Sequence, residues 1–456
     1  LIEKRSAPPP DARAPVALER GIGLPQALAT NIVTMVGIGP FLTIPFMVVA
    51  MNGPHIVYAW VGGALLALAD GLVYAHLGAA LPGSGGPYLY LREAYKPLGM
   101  GGLMAFTYVF QIILVAPLSV AGGAVGFADY LRFYWTGMTP LQHDLAAAAV
   151  CVLMTALVYR DIRSVGRLTV AMLVVVLVTI SWVIVAGLFT FSPAQAFDFP
   201  ARAYRLDRDL LGNLGAAAIL AMYSYGGYNQ VCYIGEEIRD PARTMPRAIL
   251  LSIVVVAALY IVMSTVILGL MPWAEVGASR TIASVFIGRT FGDPAQGHAA
   301  GLVMTGLILF VASASLFTVI LGYSRIPFAA ARDGHFFRAF ARVHPRKRFP
   351  HVATLTVGAA ALPFCFFSLG QIVSWLMQVQ ILMVFVWQCA GVILLVRRRP
   401  DLPQPFRMWL YPLPALLSLG LWTYVFFTGP RNGVLFAFGF LLAAWASYWF
   451  FRRRPD

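Results

Sequence analysis

The sequence predicts an all-α integral membrane protein of twelve transmembrane helices, built as two inverted five-helix halves that each open on a broken helix. Three observations predict it. Of 456 residues, 59% are hydrophobic and 11% charged, whereas a soluble protein carries roughly a quarter charged residues. Apolar runs of about the length that spans a bilayer recur over 24–51, 55–81, 98–131, 143–160, 163–190, 208–236, 246–270, 298–325, 352–368, 371–396, 409–427 and 431–451. Finally, backbone-breaking residues sit in the middle of the first and the sixth of these runs.

Charge placement sets the orientation. The net charge is +14, but the basic residues follow the membrane rather than a nucleic-acid footprint. With a cytoplasmic N-terminus, all but Arg132, Arg202, Arg205, Arg208, Arg280, Arg289 and Arg431 of the 33 Lys and Arg residues fall on the inner side. The positive-inside rule therefore predicts cytoplasmic termini, in a plasma membrane of the bacterial inner-membrane kind. The expected partner of the basic excess is anionic lipid, not nucleic acid. Residues 1–20, with "APPPDARAP", read as a disordered cytoplasmic lead without a cleavable signal. Residues 452–456 read as a cytoplasmic tail. Cys151, Cys232, Cys365 and Cys389 lie in or beside apolar spans without metal-ligand spacing, so buried thiols are expected and no metal or cofactor.

The first span holds "MVGIGPFLTIP", Met35–Pro45. Glycine weakens a helix and proline removes a donor and clashes with the preceding turn. In lipid, irregular backbone survives only where protein or a water-lined cavity satisfies it. The second span carries Asp70 and His76 in "LALADGLVYAHLG"; an intramembrane carboxylate is a functional hypothesis by default, and histidine titrates near neutrality. Six positions apart, the two lie on different helix faces. The third to fifth spans complete a first half, 21–190. The sixth opens a second, 205–397, and breaks at "YSYGGYNQ", Tyr223–Gln230. Interrupted helices at corresponding positions of two halves point to a transporter site near the midplane, and an odd number of crossings per half makes the repeats inverted. The eleventh and twelfth spans, 405–451, are additions.

At these residues the chain resembles the amino acid–polyamine–organocation (APC) superfamily, closest to its L-type amino-acid transporter branch. Gly37-Ile38-Gly39 with Phe41 resembles that family's G-S-G-I-F. "YSYGGYNQVCYIGEEIRDPARTMPRAI" (Tyr223–Ile249) resembles its sixth-span motif, the most specific of the set. "LPGSGGPYLYLREAY" (Leu81–Tyr95), "QIILVAP" (Gln111–Pro117) and "SRIPFAAARDGHFF" (Ser324–Phe337) resemble further family stretches. The resemblance runs from about residue 20 to 450 and implies the LeuT-type five-plus-five fold with amino-acid uptake or exchange by alternating access. Ile38 replaces a small polar residue, Pro40 directly follows the glycines, and "YAHLG" has His76 where the family has glutamate. Arg167 to Leu188 also lacks the fifth-span lysine of many relatives. These departures bear on the coupling ion more than on the substrate class.

The chemistry expected at the breaks follows from helix ends, where N–H groups favour anions. A substrate carboxylate would sit on amides around Gly37–Gly39. Its ammonium would face carbonyls near Val36 and Met222–Ser224, with Gly226 allowing close approach. By resemblance, Leu114, Val115 and Tyr223 face the substrate, Tyr223 also as an aromatic gate. The pocket-facing spans carry no acidic or basic side chain in their cores, so a neutral, apolar amino acid is favoured. A polyamine or cationic amino acid is the alternative. Asp70 and His76 are candidates for proton coupling, and Ser313 and Ser315 for a sodium ion. Glu236 and Glu237, beside Arg239 and Arg243, are expected to form a charge network closing the inner gate. Tyr88 is expected as an interfacial anchor.

A membrane-embedded acyltransferase or hydrolase would need converging His, Asp or Ser, and the seven histidines scatter instead. An amino-acid-sensing receptor without transport would usually add a soluble signalling domain. The prediction is a transporter without catalytic chemistry. An accessory subunit and the oligomeric state are left open.

Overall fold

The computed structural model describes residues 20–160, 162–205 and 207–452; the expected N-terminal lead up to residue 19 and the last four residues of the tail lie outside them. The chain is helical: α1 (Leu24–Met35), α2 (Gly39–Met51), α3 (Val57–Ala80), α4 (Pro87–Tyr95), α5 (Gly101–Leu131), α6 (Pro140–Val158), α7 (Ile162–Phe189), α8 (Pro193–Ala196), α9 (Arg208–Tyr225) and α10 (Gln230–Tyr233). There follow α11 (Pro241–Leu270), α12 (Trp273–Ala278), α13 (Ile282–Arg289), α14 (Pro294–Arg332), α15 (His351–Ala361), α16 (Leu369–Gln380), α17 (Val386–Arg398), α18 (Leu413–Thr428) and α19 (Arg431–Arg452). Among the described residues there is no strand, only isolated bridges between Ile22 and Ile238 and between Ser84 and Ile234.

Nine helical stretches in the described residues are long and apolar enough to cross a membrane, counting α1–α2 and α16–α17 as one each. His351–Phe366 and Leu413–Thr428 are shorter apolar helices. Burial separates centre from periphery: 83% of the most apolar window of Leu24–Met51 is buried against 22% for Arg431–Phe450. The first span is therefore the heart of the bundle. α3 packs along α11 and α5 along α14, and α2 lies against α9.

Both breaks have local causes. Pro40 lacks an N–H, and its ring would clash with the carbonyl four residues earlier, that of Val36, so α1 stops at Met35. α2 then starts at Gly39 with Pro40 in its first turn, where the missing donor costs nothing. α9 ends at Tyr225, and Gly227 follows with φ +117°, a conformation side chains with a Cβ rarely adopt. A third irregularity was not expected: a π-helical turn, Ile381–Phe385, joins α16 to α17, a feature often found at functional sites.

Candidate functional site

The two breaks face one another and are held by polar side chains that would be costly to leave unpaired in apolar spans. Asn31 of α1 is fully buried. Its Nδ2 donates to the Tyr228 carbonyl at 2.6 Å and its Oδ1 accepts from the Val231 N–H at 2.9 Å. The Thr34 and Thr318 hydroxyls meet at 2.8 Å, Gln230 donates to the Thr318 carbonyl, and Ser315 donates to the Thr34 carbonyl at 3.2 Å. Tyr260 of α11 aims one hydroxyl at two carbonyls, Met35 at 2.6 Å and Ser224 at 3.1 Å. One phenol thus spans the ends of both interrupted helices.

Within the described residues, the N–H groups of Gly37, Ile38 and Gly39 make no backbone hydrogen bond, and neither do those of Gly227, Tyr228 and Asn229. These are the unsatisfied donors a helix start leaves. Between the breaks lies a cavity with about 120 Å³ open to the centre of a water molecule. Of the residues expected at a substrate, Gly37, Ile38, Gly39, Met222, Tyr223 and Gly226 line it, and so does Ser315, expected at a sodium ion. Among the described residues no charged side chain does.

Other anticipated residues stand elsewhere. Val36 is buried, but neither it nor Leu114, Val115 and Ser224 lines the cavity. α5 instead presents Tyr108, Gln111, Ser119 and Gly123. The Ser224 hydroxyl meets Thr43 at 2.7 Å and donates to the Leu220 carbonyl at 3.1 Å, so its side chain serves packing between α2 and α9. The Ser224 carbonyl is not bare, since the Tyr260 hydroxyl donates to it as well as to that of Met35. Ser313 donates to the Leu309 carbonyl of its own helix at 2.8 Å, whereas Ser315 reaches α1. Two positions apart on one helix, they point to different faces and do not converge on one ion.

Asp70 and His76 are likewise kept apart. Asp70 is fully buried and accepts from Tyr228 Oη at 2.5 Å and Ser418 Oγ at 3.1 Å, with Cys389 Sγ at 3.6 Å. It therefore grips a residue of the second break. Nδ1 of His76 instead faces the Met408 N–H at 3.4 Å.

The acidic pair after α10 has different partners from those expected. Glu237 pairs with Arg325, Nε to Oε1 2.9 Å, both side chains 1% exposed. Glu236 pairs with Arg332. Arg239 turns away, its Nε donating to the Arg20 carbonyl at 3.3 Å. Sequence proximity suggested Arg239 and Arg243, but the extended backbone at Ile238 carries them off and α14 supplies the cations. The same face is closed by backbone: Ile22 N–H donates to the Glu237 carbonyl at 3.0 Å, and Gly85 N–H to the Tyr233 carbonyl at 3.0 Å. Tyr88 is more than an anchor, its hydroxyl lying 3.1 Å from Asp333 and 3.0 Å from His335 Nδ1. Burial and the Arg92 guanidinium lower the His335 pKa from its ordinary value, against the opposing pull of Asp333.

Asn31 and Tyr260 are not marked by any motif in the sequence; Gln111 and Tyr74 fall in "QIILVAP" and "YAHLG" but were not expected at the site. A lone polar residue inside an apolar span was the available signal for Asn31 and Gln111; nothing local marks the tyrosines as site residues.

An all-helical, multi-spanning bundle whose central helices are interrupted around a neutral cavity is the architecture of a membrane permease. The family model described as amino acid permease matches residues 22–450, and the chain belongs to that family. It is 26% identical to the branched-chain amino acid permease BcaP of Bacillus subtilis, over 86% of this chain and 84% of the relative. It is 28% identical to the large neutral amino acids transporter small subunit 2 of Oryctolagus cuniculus, covering 88% and 75%. It is 24% identical to the methylthioribose transporter of Bacillus subtilis, covering 87% and 85%. This kinship points to amino-acid transport across a membrane rather than to an enzyme.

Proposed function

We propose that this chain is a secondary active transporter that moves neutral amino acids by alternating access, on the twelve-span, LeuT-type five-plus-five plan, with both termini cytoplasmic in a bacterial inner membrane. The observation that carries the reading is the pairing of free amides at Gly37–Gly39 with a cavity that, among the described residues, no charged side chain lines. The substrate carboxylate is held by those amides, where fixed partial positive charge replaces hydration. The ammonium faces carbonyls at the ends of the two interrupted helices, at Met35 and Met222, both residues of the cavity lining, with Tyr260 holding the Met35 carbonyl in place. Tyr223 closes over the substrate against α5, where a Cβ added to Gly122 would lie 3.0 Å from its hydroxyl. The Glu237–Arg325 pair and the Glu236–Arg332 pair close the other end. Relatives named for branched-chain and large neutral amino acids support the substrate class. A cationic amino acid or polyamine would want a carboxylate in the cavity, and the described lining has none.

For coupling we favour a proton on Asp70 over any role for His76. Asp70 is the acid bonded to the second break, with hydroxyls and a thiol but no cation among its partners in the described residues. The test is uptake of labelled neutral amino acids into proteoliposomes, with and without internal amino acid, at two external pH values in sodium-free buffer. Gradient-driven accumulation that Asp70→Asn abolishes, while exchange persists, is the expected result. Uptake that needs internal amino acid and ignores pH would leave Asp70 a structural group. Substrate binding without flux would replace the carrier by a receptor.

A further inference from the structure

The cavity has two kinds of wall. Ile38, Leu316, Leu376 and Met377 make one side apolar, whereas α3, α5 and α10 bring hydroxyls and amides. Most of the polar groups on that second side are already engaged. Tyr228 gives its hydroxyl to Asp70, Asn229 Nδ2 donates to Tyr233 at 3.3 Å, and Ser119 and Gln380 both serve Tyr323, at 3.3 and 3.2 Å. Trp422 Nε1 lies beside Asp70, which leaves Tyr74 Oη and Gln111 Oε1: both residues line the cavity, and both oxygens are buried with no hydrogen-bond partner among the described residues. Their residues are 0% and 1% exposed. Neither can turn to bulk water, and the Tyr74 ring is fixed edge-on against Tyr228 at 5.9 Å. Buried polar groups are rarely left unpaired, so this pair is arranged for something that enters the cavity.

Resting on the neutral amino-acid reading above, we propose that the preferred substrate carries an uncharged hydrogen-bonding side chain, an amide or a hydroxyl, read by Tyr74 and Gln111. The phenol both donates and accepts, and the amide does the same through its two ends. An ionised side chain has no counter-charge here, and a purely aliphatic one leaves both groups bare. The aliphatic stem of such a substrate packs on the Leu316 and Met377 side. This revises the apolar preference drawn from sequence, which followed from the absence of charge but not from the presence of these two groups.

Matched pairs of amino acids differing by one polar group test it: glutamine against methionine, threonine against valine, tyrosine against phenylalanine. Each competes for counterflow of a labelled neutral amino-acid mixture in proteoliposomes of the full chain. In wild type the polar member of at least one pair competes about tenfold better, the size expected of one buried hydrogen bond made or lost. Tyr74→Phe and Gln111→Leu each reduce that preference while flux of the apolar member persists, which also certifies folding. The proposal is overturned if the apolar member wins or ties in all three pairs, or if both variants keep the wild-type preference. Should none of the six compete and wild type carry no neutral amino acid, the transport reading itself fails, a result distinct from lost selectivity.

Discussion

The two interrupted helices do similar things by different means. At the first break, Pro40 and two glycines halt α1 and leave bare amides, and the only side chain between the glycines is apolar. The second break bends through Gly227 in left-handed space and is stitched by side chains: Asn31 and Gln230 to neighbouring backbone, Tyr228 to Asp70. The first is a surface that offers backbone to a ligand, the second a joint that ties that surface to α3, α14, α17 and α18. On the proposed reading, a binding site and its coupling machinery are divided between two segments with the same local grammar.

Glycine substitutions break the comparison most sharply. A Cβ on Gly37 would collide with the Ser315 side chain, one on Gly227 with Thr34 at 2.6 Å, and Gly227 also needs its positive φ. Gly37→Val and Gly227→Val are expected to reduce flux to background, whereas Gly39→Ala keeps it, since its methyl meets Ser224 at an ordinary 3.5 Å. Adding Ser315→Gly rescues Gly37→Ala. Gly227→Ala is not rescued by shortening Thr34, because its obstacle is the backbone itself. Equal rescue at both sites would erase the distinction between them.

Next in size is the buried pair below the second break. Removing one partner of such a pair costs about 3–5 kcal/mol, so Glu237→Ala should lower Tm in detergent strongly. Glu236→Ala, at the more exposed pair, should cost less than about 1 kcal/mol. Similar losses from both would contradict the assignment of Glu237 as the inner lock.

Asn31→Ala removes two hydrogen bonds to the second break and should cost about 2 kcal/mol, with faster hydrogen exchange at 226–233 and little change at 36–39. Loosening confined to the first break would reverse the roles given to the two.

The smallest expected effect is a pH dependence at the Tyr88–His335 contact. Because the folded state lowers the imidazole pKa from its usual 6.5, the unfolded chain binds the proton more readily and stability rises with pH across that window. The contribution is complete above about pH 6.5 and fades as pH falls toward the lower folded value. Tm against pH should lose this component in His335→Ala.

Both breaks are legible in the sequence itself. Gly37, Gly39, Pro40 and Gly226-Gly227 announce them because backbone chemistry is local: a proline acts on the carbonyl four residues behind it wherever it stands. The cavity's far wall is not legible in that way. Whether α5 turns Leu114 or Gln111 inward is a matter of helix rotation, set by packing against α14 and invisible in an almost uniformly apolar span. The partner of Glu237 is hidden for a related reason, since Arg239 is near in sequence but Arg325 is near in space. Asn31 stands in plain view, an amide in the middle of an apolar run, and polarity at depth is the clue to follow.

The central claim is that the breaks hold the α-carboxylate and α-ammonium of an amino acid. Its most direct test is competition for counterflow by one transported amino acid, its α-carboxamide and its N-acetyl derivative. If the claim holds, only the parent competes, because each derivative removes the charge one break recognises. A derivative that competes as well as the parent would contradict it.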